Sequence, residues 1–101
     1  MNHRSAQMDG ALTIRLSGHF TFEDHGVFRD LLKEISSSGC KQCALDICEL
    51  KSIDSAGLGM LMIAYDTSVQ EHWNFVITRP RGQVKRLLEI TDFAKIISIK
   101  G

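Results

Sequence analysis

The chain has 101 residues, 44% of them apolar and 24% charged, and its 12 basic residues balance its 12 acidic ones. This length and apolar content predict one compact domain over residues 1–101. The zero net charge predicts no overall attraction to nucleic acid or to an anionic membrane. The N-terminal segment lacks an apolar run, and no later run approaches the roughly 18 residues of a membrane span. We therefore expect a cytoplasmic protein whose three cysteines are reduced thiols.

The first forty residues predict two strands and a helix. RSAQM and ALTIRLS flank Asp9-Gly10, which is a strong signal for a two-residue hairpin turn. Thr21 followed three residues later by Asp24 resembles a capping box at the start of a helix. Apolar residues then recur at helical spacing until a serine-rich stretch ends at Gly39; they are Val27, Phe28, Leu31, Leu32 and Ile35.

The second half predicts three further strands with helices between them. CALDIC is a short strand with Leu45 and Ile47 on one face, WNFVIT is the next strand, and KIISI is the last. The first of the intervening helices has an expected sheet-facing stripe of Leu58, Leu61, Met62, Tyr65 and Val69. After a loop over residues 79–82, a third helix is marked by Val84, Leu87 and Leu88.

The element order β-β-α-β-α-β-α-β predicts an α/β fold with a single-layer sheet. Alternating strands and helices imply right-handed crossovers and mostly parallel pairing, and the N-terminal hairpin makes the sheet mixed. Loops that leave the carboxyl ends of parallel strands gather at one edge, where such folds usually bind their ligands. The segments expected at that edge are His19 to Asp24, the Asp54-Ser55 turn and Arg79 to Gly82.

Ser55 stands where the third strand gives way to an unusually apolar helix. At such a position a serine hydroxyl commonly caps free backbone N–H groups, so the simplest interpretation of Ser55 is a helix cap. The nearby Gly57 and Gly59 would allow another surface to approach closely.

Enzymatic interpretations find little support around Ser55. A nucleophile elbow requires glycine two residues before the serine, where this chain has Ile53, and no histidine can be assigned as its base. The glycines match neither a dinucleotide fingerprint nor a phosphate-binding loop. Cys40 and Cys43 have the spacing of a redox pair or half of a zinc site, which Cys48 and a histidine would have to complete. We expect ordinary thiols, with no catalytic residue, cofactor or metal.

The stretch LKSIDSAGLGMLMIAY, between CALDIC and NFVITRPRGQVKRLLEITDFAKIISI, resembles the STAS domain of bacterial anti-sigma factor antagonists. The resemblance extends from about Ala11 onward. It implies a regulatory binding protein that an ATP-dependent serine kinase, which also sequesters a sigma factor, phosphorylates and a phosphatase restores. The phosphorylated residue falls on Ser55, after Asp54 and before the Gly57-Leu58-Gly59 turn. Many relatives carry a second hydroxyl beside it, where this chain has Ala56, so only one acceptor remains.

A phosphate on Ser55 would lie at a helix N-terminus, where the dipole favours anions, so the domain should stay folded while an acidic or apolar partner is repelled. The expected partner surface consists of Asp54, Ser55, Ala56, Gly57, Leu58, Gly59, Met60 and Ile63, with Thr21, Glu23, Arg79 and Arg81 as neighbouring candidates. His19 joins them only by proximity. Met60 and Ile63 either contact the partner or pack against flanking helices.

Two further features leave alternatives open. Four cations fall within eight residues: Arg79, Arg81, Lys85 and Arg86. They are most simply a solvated helix start, although Arg79 or Arg81 could bind a phosphate. Without interleaved aromatic residues they do not predict nucleic-acid binding.

Relatives often have another helix after the last strand, whereas this chain stops at Gly101, so a homodimer is possible. The second functional hypothesis is a STAS subunit of a transport or signalling assembly that binds without phosphorylation.

Overall fold

A computed structural model describes residues 1–101 as five strands and three α-helices. The elements are β1 (Asn2–Met8), β2 (Ala11–Phe20), α1 (His25–Ser38), β3 (Gln42–Ile53), α2 (Ser55–Glu71), β4 (Asn74–Thr78), α3 (Gly82–Ile90) and β5 (Ser98–Lys100). Short 3-10 turns over Phe22–Asp24 and Phe93–Lys95 precede α1 and β5. This order confirms the predicted sequence of elements.

The five strands form one sheet in the order β1-β2-β3-β4-β5. β1 pairs antiparallel with β2, and every other neighbouring pair is parallel. The mixed, mostly parallel sheet predicted from the sequence is therefore confirmed. The parallel strands place the carboxyl ends of β2 and β3 side by side, with Phe20 paired to Ile53.

The β1–β2 hairpin turns at Asp9 and Gly10, as predicted. Their φ angles are 52° and 81°, so both central residues adopt the left-handed conformation. Two consecutive residues of this kind are typical of the tight turn whose twist matches that of the flanking strands.

The connection from β2 to α1 confirms the predicted capping interaction but moves the start of the helix. The Thr21 N–H donates to the Asp24 carboxylate at 2.9 Å, and a 3-10 turn lies between them. α1 begins only at His25 and ends before Gly39, whose φ of 67° is the left-handed conformation that commonly terminates helices. Val27, one of the apolar residues at helical spacing in α1, is exposed.

One face of the sheet carries the apolar core. The buried residues of β2 alternate with exposed ones, as Leu12, Ile14 and Leu16 show. They belong to a cluster of 23 buried residues that includes side chains from all three helices. The helices therefore cover this face, and alternate residues of β1 and β2 on the opposite face remain exposed.

The buried face of α2 differs from the predicted stripe. Met60 and Ala64 lie in the core, whereas the predicted core residue Val69 is exposed. Leu61 is buried as expected. Because α2 is apolar on nearly every side, its residue pattern fits several helical faces equally well, and packing against α1 and the sheet selects one of them.

β3 is longer than the predicted strand CALDIC, and it contains a buried carboxylate. Asp46 is only 4% exposed and accepts hydrogen bonds from the Arg79 guanidinium, from Arg15 Nε at 3.3 Å and from the Cys48 N–H at 3.1 Å. Burial by itself would raise the pKa of Asp46, but the hydrogen bonds from Arg79 and Cys48 outweigh it and lower the pKa to about 2.

None of the three helices combines the length and apolar content needed to cross a membrane.

This depressed pKa predicts a specific loss of stability in acid. The carboxylate of Asp46 stabilises the folded state fully above its ordinary pKa of 3.8, and this contribution disappears as the pH falls through the folded-state value of about 2. Between pH 4.5 and pH 2, the free energy of unfolding should fall by about 2 kcal/mol more in the unchanged chain than in Asp46→Asn. Urea unfolding across this pH range measures the difference. If the difference in the free energy of unfolding between the two proteins stayed constant across this pH range, the role assigned to Asp46 would be contradicted.

Candidate functional site

The N-terminus of α2, called here the mouth of α2 and formed by residues 54–57, is held in place by hydrogen bonds to the carboxylate of Asp54. Asp54 has an extended backbone at the end of β3, and its Oδ1 accepts a hydrogen bond from the Gly57 N–H at 2.8 Å. Its Oδ2 accepts one from the Phe22 N–H at 3.2 Å. Asp54 is therefore the helix cap, and it also joins α2 to the turn that follows β2.

Ser55 is the first residue of α2 rather than its cap, so the predicted capping role is wrong. The physical reason is that Asp54 reaches the same backbone N–H groups one residue earlier, and aspartate caps a helix as well as serine does. Ser55 is exposed, and its hydroxyl makes no hydrogen bond within the chain. The side chain is consequently free to react or to contact another molecule.

The two glycines of the turn have different roles. A Cβ at Gly57 would lie 2.6 Å from the Ile53 side chain and 2.9 Å from the Phe20 carbonyl oxygen. Gly57 is buried and allows α2 to pack tightly against the ends of β2 and β3, so the surface that approaches it closely belongs to this chain and not to a partner. Gly59 is exposed and a Cβ there would meet nothing within 4 Å, which leaves it available for an approaching surface.

The exposed side of α2 continues from Ser55 along one line of the helix. Gly59 and Ile63 follow at intervals of four residues, which places them on the same face. Ile63 is 55% exposed, so an apolar side chain stands two turns beyond the serine. Met60 is only 7% exposed and packs in the core, so packing within the domain, one of its two predicted alternatives, holds, and its expected place on the partner surface is wrong. Ala56 and Leu58, also predicted contacts, are half-buried.

The 3-10 turn after β2 adds an aromatic residue that the sequence analysis did not select. Phe22 is 65% exposed and its ring stacks on that of His25 with centroids 5.1 Å apart. Of the predicted candidates in this turn, Glu23 is exposed and Thr21 is half-buried. No sequence signal separates Phe22 from the buried Phe20 two residues earlier, so only the structure identifies Phe22 as exposed.

His19 makes a defined contact beside this turn. Its Nδ1 lies 2.6 Å from the Ser52 Oγ, and the two residues are paired between β2 and β3. His19 thus lies at the predicted sheet edge, two residues before the 3-10 turn's capping residue, Thr21.

Arg79 does not join this site. Its guanidinium binds Asp46, which pairs with Arg15, whereas the strand end at Ile53 pairs with Phe20, five residues further along β2. At about 3.3 Å per residue, these positions are roughly 16 Å apart. The expectation that Arg79 lies at the Ser55 edge is therefore wrong, because β3 continues well past the end of β4.

The start of α3 approaches the site through a residue that was not predicted. Gln83 accepts a hydrogen bond from the Ile53 N–H at 3.1 Å and donates one to the Ile53 carbonyl oxygen at 3.2 Å. Both backbone groups of the last β3 residue are thereby satisfied by one amide side chain. Arg81, a predicted contact, is exposed directly before α3.

Two of the three cysteines belong to the interior, and the third, Cys48, is half-buried. Cys40 and Cys43 are buried, and the Cys40 thiol points to the Ile35 carbonyl oxygen at 3.9 Å. Burial, with a smaller contribution from Cys40, raises the pKa of Cys43 to about 12, so its thiol stays protonated and weakly nucleophilic. No group of three His, Cys, Asp or Glu side chains has the arrangement of a metal site. These surroundings fit ordinary core thiols better than the zinc or redox alternative.

The family model described as "Mlab, STAS domain" matches residues 3–98. The chain belongs to the STAS domain family. A STAS-domain containing protein of Pseudomonas aeruginosa is 27% identical over 88 residues, which cover 87% of this chain and 86% of that protein. An anti-sigma F factor antagonist of Paenibacillus polymyxa is 29% identical over 91 residues, covering 89% and 78% respectively.

Three solved structures share the fold. An anti-sigma factor antagonist from Mycobacterium paratuberculosis has a TM-score of 0.86 at 15% identity, covering 98% of this chain and 84% of that one. A sulfate transporter family protein from Wolinella succinogenes has a TM-score of 0.80 at 14% identity, with coverages of 94% and 80%. The Bacillus cell fate determinant SpoIIAA in its phosphorylated form has a TM-score of 0.74 at 11% identity, with coverages of 97% and 90%. At these identities the likeness establishes the common architecture.

The two glycines predict substitutions with opposite effects on stability. Gly57→Ala should lower the free energy of unfolding by about 1–3 kcal/mol, because the added methyl group overlaps the Phe20 carbonyl and the Ile53 side chain. Gly59→Ala should raise it by about 0.5–1 kcal/mol, because alanine is the better helix former and space is available. Thermal and urea unfolding of both variants test this pair. Equal effects at the two positions would contradict the tight packing at Gly57.

The capping assignment predicts a second contrast between neighbouring residues. Asp54→Ala should reduce the free energy of unfolding by about 0.5–2 kcal/mol because it removes the cap, whereas Ser55→Ala should change it by less than about 0.5 kcal/mol. Asp54→Asn is the matched control, because asparagine retains a capping oxygen. Urea unfolding of the three variants at neutral pH provides the measurement. A larger loss from Ser55→Ala than from Asp54→Ala would restore Ser55 as the cap.

Proposed function

We propose that this STAS protein is a non-enzymatic partner switch of the anti-sigma factor antagonist type. Its unmodified form binds a serine kinase that is also an anti-sigma factor, phosphorylation of Ser55 releases that partner, and a phosphatase reverses the modification. The observation that carries the proposal is the exposed Ser55 hydroxyl, which makes no hydrogen bond within the chain at the mouth of α2. The anti-sigma F factor antagonist of Paenibacillus polymyxa and the phosphorylated form of SpoIIAA support the assignment by similarity.

The surroundings of Ser55 suit a protein contact that a phosphate would disrupt. Phe22 and Ile63 are exposed apolar side chains near the two ends of the surface, and Gly59 leaves room between the serine and Ile63. Aromatic residues such as phenylalanine are enriched in the cores of protein interfaces. A phosphate adds about −1.5 to −2 charges beside Asp54, and burying that charge in an apolar contact is unfavourable.

The fold should tolerate the modification. The N-terminus of α2 presents free N–H groups, which favour an added anion, and the Asp54 cap remains in place. The modified and unmodified proteins should therefore differ in the charge of their surface more than in their structure. Such a change acts on the partner through local repulsion.

The second candidate is a STAS subunit of a transport assembly that uses the same surface without phosphorylation. The sulfate transporter family protein from Wolinella succinogenes, which shares the fold, favours it. The two candidates differ in whether Ser55 is a phosphate acceptor. Incubation of the protein with ATP and a serine kinase of the anti-sigma factor type, followed by intact-mass measurement, distinguishes them, because one added phosphate supports the switch and none favours the transport subunit.

The switch predicts a definite order of affinities. Ser55→Ala should bind the kinase within about twofold of the unchanged chain, because the binding state is uncharged, whereas Ser55→Asp should bind about tenfold or more weakly. Ser55→Ala should also gain no phosphate. Gln70→Glu, which adds the same charge at the far end of α2, is the control and should leave binding unchanged. Titration calorimetry gives the affinities, and full binding by Ser55→Asp would reject charge at the helix mouth as the signal.

A further inference from the structure

The face of the sheet opposite the helices carries a row of charged side chains. The strand register aligns one residue from each of the five strands in this row: Arg4, Arg15, Asp46, Thr78 and Lys100. Arg79 follows β4 and extends its guanidinium to Asp46 in the middle of the row. This charged row crosses the whole sheet on the side that no helix covers.

The charges of this row do not cancel. Asp46 is shared by Arg15 and Arg79, and Glu49 binds Arg15 at 3.5 Å. Both carboxylates are therefore already paired, whereas Arg4 and Lys100 at the two ends are exposed and have no ion pair. Four cations stand against two anions on a chain whose overall net charge is zero.

The pairing of Arg4 with Arg15 is unfavourable in the isolated chain. The two residues lie directly opposite each other on β1 and β2. Like charges at opposed positions destabilise a strand pair. Arg15 has carboxylate partners within the chain, whereas Arg4 has none. An anion from another molecule would therefore stabilise the end of the row at Arg4.

A second row of small side chains lies beside the charged one. Two residues away along each strand, the same face carries Ala6, Thr13, Ala44, Val76 and Ser98. Val76 is buried although it is not part of the core cluster beneath the helices. The exposed members of this row, Ala6, Thr13 and Ser98, have short side chains, so a partner's backbone can approach the sheet there. Parallel sheets are usually covered on both faces, and here one face is bare.

We propose that this face binds an acidic, extended segment of a partner protein. Four strand spacings of about 4.8 Å give the charged row a span of roughly 19 Å, which about six extended residues can cross. Carboxylates of such a segment would bind Arg4, Arg15, Arg79 and Lys100. Neither row contains an aromatic side chain for base stacking or a large apolar side chain for insertion into a lipid surface, so an acidic polypeptide fits better than nucleic acid or a membrane.

The experiment is a titration of the full chain with a hexaglutamate peptide whose two termini are blocked. Binding is monitored through the amide chemical shifts of the protein at low and at high salt. We expect the shifts to concentrate on residues of the two rows and binding to weaken as salt rises. Arg4→Gln/Lys100→Gln should weaken peptide binding by about fivefold, as expected for two exposed ion pairs. The control Arg29→Gln/Lys33→Gln also removes two positive charges, but from exposed positions of α1, and it should alter binding by less than about twofold.

The spectra of the variants report whether the fold is retained. Ser55→Asp should bind the peptide as the unchanged chain does, because this surface and the α2 mouth act independently. The proposal is overturned if the open face shows no shifts up to millimolar peptide, or if the shifts concentrate at residues 81–86. It is also overturned if the α1 control loses as much affinity as Arg4→Gln/Lys100→Gln. Stronger binding of hexathymidylate or of phosphatidylserine vesicles than of the peptide would reject an acidic polypeptide as the ligand.

Discussion

The carboxylate of Asp54 is the interaction on which the candidate surface depends. One oxygen holds the first turn of α2 through the Gly57 N–H, and the other holds the turn after β2 through the Phe22 N–H. A single side chain thus fixes two segments, at Phe22 and at Gly57, that lie about 35 residues apart in the chain. With the cap supplied by Asp54, the hydroxyl of Ser55 is left free, and a phosphate on it would not compete with the helix for hydrogen bonds.

Close packing completes the same arrangement. Gly57 lets α2 approach the Phe20 carbonyl and the Ile53 side chain, and Gln83 binds both backbone groups of Ile53 from α3. The strand end before Ser55 is therefore held from two sides. A rigid base of this kind suits a switch whose signal is a change of surface charge, because little of the binding surface would have to rearrange when the phosphate is added.

The sheet separates two surfaces of different character. On one face, the helices bury the core and place apolar side chains around Ser55, which suits a protein contact controlled by phosphorylation. On the other face, Asp46 lies beneath two arginines within a row whose outer cations lack partners. Under the two proposals, this STAS domain would engage two kinds of partner. Binding at the charged row would then be sensitive to salt, whereas binding at the helix mouth would respond to the kinase.

The sequence by itself determined the order of the elements, the Asp9-Gly10 hairpin and the position of Ser55 at the start of α2, because turn chemistry and the spacing of apolar residues are local properties. Only the tertiary structure decided which residue caps α2, because Asp54 and Ser55 are both good caps and the Phe22 N–H that also engages Asp54 comes from a distant segment. It also decided which face of α2 is buried, since a helix that is apolar on nearly every side contains no pattern that selects one. The pairing of Arg79 with Asp46 likewise depends on how far β3 continues past β4, a register that long-range packing sets and local sequence does not contain.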